Sequence, residues 1–143
     1  MVMLIAKTKI LNQPNQRQQT NLSNSLSYTL VVLGPAYGTQ SAYCAYQFAQ
    51  SLLSQTSYRI ENIFFYGDGV YNANDYTDPA NDEFNLISAW QQLAEKYALK
   101  LGVCVAAAQR RGVTKNNLAQ YFELTGLGEL SESMAISDRT IQF

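Results

Sequence analysis

Cysteine 104 stands in GVCVAAAQRRG, residues 102–112, between small apolar residues and the pair Arg110 and Arg111. A cysteine near the end of a buried strand is either a small hydrophobe or a nucleophile. If the next residues begin a helix, their free amides carry partial positive charge and favour thiolate over thiol. Arg110 and Arg111 either complement the end of that short helix or offer a docking point to an acidic partner. Cys44, the second thiol, falls on or beside the apolar stripe of a helical segment, where burial is expected. The two cysteines form no CxxC pair, and the chain has no histidine. Ser-His-Asp triads, Cys-His pairs and His-ligated metals are therefore excluded, and any catalysis must proceed without imidazole.

Two further groups have chemical potential. GPAYGTQS, residues 34–41, places Thr39 and Ser41 between a strand and a helix. That arrangement fits a flavin-phosphate or nucleotide loop, with Tyr66, Tyr71 and Tyr76 available to flank a ring, and it equally fits an ordinary strand-to-helix turn capped by threonine. Asp68, Asp75, Asp78, Asp82 and Glu83 are clustered in sequence, but their spacing matches no calcium loop, and turn and cap chemistry accounts for them. No metal or cofactor is expected.

These groups need a scaffold, and the rest of the chain specifies one. At 143 residues and 47% hydrophobic, the chain has the size and apolar content of one self-sufficient domain. Its net charge of -1 offers no cationic field for nucleic acid. The start, MVMLIAKTKIL, is too briefly apolar for a signal peptide or membrane span, so a cytoplasmic location with reduced thiols is expected. Residues 1–26 read as a loose tail rich in Asn, Gln and Ser, and residues 27–143 as a single domain. YTLVVLG is a doubly buried strand, and residues 39–55 are a helix with Ser41, Ala45, Phe48 and Leu52 on its inner stripe. RIENIFFY is a second strand. Leu86, Trp90, Leu93 and Tyr97 mark a helix over 83–97, capped by Asn81 or Asp82, and LKLGVCV is the third strand. A short helix from Ala106, a turn or two of helix in KNNLAQYF, a strand at 122–125, a helix over 127–135 and a strand over 139–142 complete the pattern. Alternation of this kind predicts right-handed βαβ crossovers and a mostly parallel sheet, with reactive groups at the carboxyl ends of its strands.

Six blocks in order, GPAYGTQ, FFYGDGVYNAN, DEFNLISAWQQL, VCVAAAQRRGV, LTGLGEL and DRTIQF, resemble the DsrE/TusD family of sulfur-relay proteins. The resemblance spans about residues 27–143. It implies a DsrE-like, flavodoxin-like α/β fold with a mostly parallel five-stranded sheet and helices on both faces. It also implies sulfurtransferase activity with Cys104 as persulfide acceptor, and a heterohexamer with TusB-like and TusC-like subunits. Sulfur would come from a TusA-like donor and pass to a TusE-like acceptor for 2-thiouridine formation at the tRNA wobble position, without direct contact to nucleic acid or membrane. A DsrE-type role in sulfur oxidation, a flavin- or nucleotide-binding module and a non-catalytic scaffold subunit are the alternatives. The link over residues 113–122 is shorter than the family pattern, which bears on partner docking and access to the sulfur.

Overall fold

In a computed structural model, the chain is described for residues 25–143 and, by backbone alone, for residues 3–6. The β-branched run LSYTLVV forms β2, Leu26–Val32, and YRIENIFF forms β3, Tyr58–Phe65. The remaining strands are β1 Met3–Ala6, β4 Leu101–Cys104, β5 Phe122–Thr125 and β6 Arg139–Gln142. They form one sheet in the order β1-β6-β2-β3-β4-β5. The last five are mutually parallel, and β1 adds an antiparallel strand along β6. Met3–Ala6 lies inside the segment read as a loose tail; residues 7–24 of that segment lie outside the described residues.

The helices are α1 Ser41–Leu53, α2 Leu86–Tyr97, α3 Val105–Arg110 and α4 Leu127–Ile136, and a 3₁₀ segment spans Gly67–Ala73. Right-handed crossovers that step along the sheet from β2 to β5 place α1, α2 and α3 on one face. The last crossover returns from β5 to β6 in the opposite sense and lays α4 on the other face, the one helix there among the described residues. Side chains agree with this division. Tyr28 and Phe143 meet Phe48 of α1, and Phe65 meets Trp90 of α2 at 5.3 Å between ring centroids. Asn62 and Thr29 instead bond Ser133 and Ser137, in and just after α4.

The core is centred on the α1 and α2 face. Trp90 is wholly buried, stacks edge-on against Tyr46 and Phe65, and donates its indole N–H to Asn72 Oδ1 at 3.2 Å. Asn72 in turn donates to the carbonyls of Gly34 and Gly69, so the core tryptophan fixes both loops that leave β2 and β3. Asn85, rather than Asn81 or Asp82, caps α2 by accepting from the Ser88 amide at 3.0 Å, so the helix starts three residues later than its apolar period predicts.

KNNLAQYF is not helical. Asn117 accepts from the Thr114 amide at 2.7 Å, and its amide group donates to Asn74 Oδ1 and Gly112 O. A side chain that satisfies the local backbone in this way removes the need for helical bonds. The link is fastened to the 3₁₀ segment by Ala119 N–H to Ala73 O at 2.8 Å and by a bridge between Asn74 and Leu118.

Candidate active site

Cys104 is the last residue of β4 and the N-cap of α3, at the carboxyl end of the sheet as the sequence predicts. Strand alternation fixes which way it faces. A Cβ on Gly102 would meet Phe64, Asn62 Oδ1 and Thr125 Cγ2, all on the α4 face. Cys104, two residues on, shares that face. Thr125 is its registered neighbour on β5, and the β3 register continued one position beyond Phe65 and Val103 brings Tyr66 to its other side. Tyr66 keeps extended backbone and bonds Val32 O of β2 through its amide, so β3 stays paired with β2 one residue beyond Phe65.

The thiol is covered. Cys104 is 3% exposed, whereas Cys44, expected to be buried, is exposed on α1. The inner stripe of α1 is Ala42, Ala45, Tyr46, Ala49 and Leu52, which turns position 44 outward. The inner stripe is built largely of alanines, which hid this rotation from a reading based on period alone.

The two arginines separate. Arg111 bridges Asp68 of the 3₁₀ segment at 2.8 Å and donates to Ala107 O at 3.1 Å, tying α3 to the loop that follows β3. Arg110 is exposed. Asp68 is thus engaged by a cation, and Glu83 accepts from the Ala80 amide, consistent with turn chemistry for the acidic cluster.

GPAYGTQS builds a cleft of about 570 Å³ on the other side of the carboxyl edge, lined by residues that include Tyr37, Thr39, Gln40, Tyr43 and Phe84. Tyr66, Tyr71 and Tyr76 are not part of its lining. Ser41 packs beneath Gly34, where a Cβ would come within 2.5 Å of it, and Gln40 rather than Thr39 is the N-cap, without a side-chain bond. The loop therefore works as a tight strand-to-helix turn, and the aromatics proposed for a ring lie elsewhere.

A network that sequence reasoning missed borders Cys104. Thr125 donates to Glu129 Oε2 at 2.6 Å, and Lys100 bridges Glu129 Oε1 at 3.0 Å. The Thr125 hydroxyl, then Lys100, hold the Glu129 carboxyl below its ordinary 4.5, and Glu129 raises Lys100 above 10.5. A depressed carboxyl contributes stability above its unfolded pKa and loses it as pH falls through the folded value. A raised ammonium contributes below its unfolded pKa and loses it as pH rises through the folded value. Thermal melts are therefore expected to be insensitive to this pair between about pH 6 and 9, with an acid loss below about pH 4 that shrinks in Glu129→Gln. An identical acid limb in the variant would contradict the assignment.

The fold and site define a mostly parallel α/β domain with a buried cysteine at a strand's carboxyl end. A family model described as the DsrE/DsrF-like family matches residues 26–143, and the chain belongs to that family. It is 50% identical over 131 residues to Sulfurtransferase TusD of Photorhabdus laumondii subsp. laumondii, covering 84% of this chain and 99% of that protein. It is 54% identical over 129 residues to Sulfurtransferase TusD of Pectobacterium carotovorum subsp. carotovorum, covering 82% and 99%. The crystal structure of the ychN protein from E. coli has the same fold, with a TM-score of 0.72 at 21% identity over 82% of this chain and 99% of that one. Among the described residues no helix is long and apolar enough to cross a membrane.

Proposed function

We propose that the chain is a sulfurtransferase subunit that carries sulfane sulfur as a persulfide on Cys104. The observation that carries this reading is the position of that thiol. It ends β4, next to the sheet's β5 edge, at the corner where β4 and β5 run into the starts of α3 and α4, in a chain about half identical to proteins named Sulfurtransferase TusD. The Cys104 thiolate attacks the terminal sulfur of an incoming persulfide. A new S–S bond forms, the old one breaks, and the donor leaves as a thiolate. The resulting Cys104 persulfide is attacked in the same manner by the next thiol. Each step exchanges one thiolate for another, so a chain without histidine needs no proton shuttle.

In the fuller form of this reading the donor is TusA-like, the acceptor TusE-like, and the chain works in the cytoplasm within a heterohexamer with TusB-like and TusC-like subunits, toward tRNA thiolation. Arg110, exposed beyond α3, is then a contact for an acidic partner, while Arg111 holds α3 to the 3₁₀ segment. The test is mass spectrometry of the chain after incubation with a persulfidated donor protein. One added sulfur is expected on the Cys104 peptide and none on the Cys44 peptide; sulfur on Cys44, or on neither, overturns the proposal.

A further inference from the structure

A thiol that is 3% exposed cannot exchange sulfur with another protein until something moves. The arrangement of the sheet narrows what that is. Cys104 lies on the face that carries α4, the one helix on that face among the described residues, and α4 begins at Leu127, two residues after Thr125, the registered neighbour of Cys104. Of the ten residues of α4 only Ser133 is buried, against six of the twelve in α2. The inner side of α4 is also loosely seated, since a groove of about 250 Å³ remains between it and the sheet, lined by residues that include Val31, Leu33, Tyr66, Leu130 and Met134.

The first turn of α4 is thinly packed. Gly126 is its N-cap and has no side-chain bond, Leu127 is 50% exposed, and a Cβ on Gly128 would meet nothing within 4 Å. Further along, Ser133 is held by Asn62, and Ser137 by Thr29. In the first turn, Glu129 is tied to Thr125, the neighbour of Cys104, and to Lys100, which reaches it from the amino end of β4.

We propose that α4 is a movable cover over Cys104 and that Glu129 is the latch that holds its first turn to the sheet, so that sulfur exchange requires that turn to lift. The hinge is the end secured by Ser133 and Ser137. Glu129 is a positioning residue, since it acts through Thr125 and Lys100 rather than on the sulfur. The functional half of this inference rests on Cys104 being the sulfur acceptor; the mechanical half does not.

The test uses the full chain carrying Cys44→Ser, so that Cys104 is the one thiol read. Iodoacetamide labelling of Cys104 is expected to be about tenfold faster in Glu129→Gln, because losing a charge-assisted bond enlarges the open population in proportion. Thr125→Val removes the same bond from the other side, and it serves if Glu129→Gln does not fold. Glu61→Gln, which removes an equal charge from the Arg59 pair at the start of β3, is expected to leave the rate unchanged. Amide hydrogen exchange reads the location: residues 126–131 exchange faster in the latch variants while the core of β2 and β3 does not. Unchanged labelling, or acceleration spread over the whole sheet, overturns the cover. Labelling that responds in a chain that takes no sulfur from a donor leaves the cover standing and removes the acceptor role. Sulfur loading without any labelling response does the reverse.

Discussion

Cys104→Ala is expected to reduce sulfur acceptance from a persulfide donor to background, while Cys44→Ser retains it in full. Only one of the two thiols occupies the strand-end corner, and no other side chain there is a sulfur nucleophile. The accompanying stability changes separate chemistry from folding. Cys44 is exposed, so its replacement is expected to stay within about 0.5 kcal/mol of wild type. Cys104→Ser places a hydroxyl where a weakly polar thiol is buried, at a cost of about 1–2 kcal/mol. For a chain of this size that lowers the melting temperature by several degrees, about 2–4 °C per kcal/mol. Cys104→Ala removes the sulfur without introducing a buried hydroxyl. Both Cys104 variants are expected to be folded by circular dichroism and inert by mass spectrometry. Sulfur loading retained by Cys104→Ala would remove this residue from the mechanism.

Gly69→Ala is expected to be among the most damaging single-methyl additions in the molecule, destabilising by about 2–4 kcal/mol in urea unfolding. A Cβ at Gly69 would fall 2.0 Å from Val32 O and 2.8 Å from Val32 C. Both are backbone atoms at the end of a central strand, so no rotamer change relieves the contact. The 3₁₀ segment has to withdraw instead, and with it go the Gly69 N–H bond to Tyr66 O and the Asn72 bonds to Gly34 and Gly69 carbonyls. Trp90 then loses the fixed acceptor for its indole N–H. The segment also carries Asp68, the partner of Arg111, so the distortion reaches α3 directly behind Cys104. Wild-type stability in this variant would mean that the segment does not lie against β2 as described.

The fold was legible because its signals are local and repeated. Apolar runs closed by glycine marked β2 and β3, the run LKLGVCV marked β4, and the terminal DRTIQF gave β6 to the residue. Where side chains capture the backbone, local reading failed: Asn117 turned an expected helical stretch into a pinned loop, and Asn85 delayed α2. The site was half legible. Strand alternation placed Cys104 at the carboxyl edge, because that depends on β4 alone. Its burial comes from elements distant in the chain that pack around the strand end, and the residues next to position 104 do not encode it. The Glu129 latch was invisible for the same reason, since its partners Lys100 and Thr125 come from two different strand ends. Cys44 was misread because a stripe built from alanines tolerates a rotation that a stripe of large residues would not.

The contrast between the two thiols has a practical meaning for a cell full of small reductants. Glutathione and its relatives strip sulfane sulfur from any carrier they can touch, at rates set by access as much as by nucleophilicity. On the proposed function, sulfur held at the nearly sealed position 104 would be kept from that leak, whereas a persulfide on the exposed Cys44 would not. Fidelity of delivery, in such a carrier, is bought by concealment.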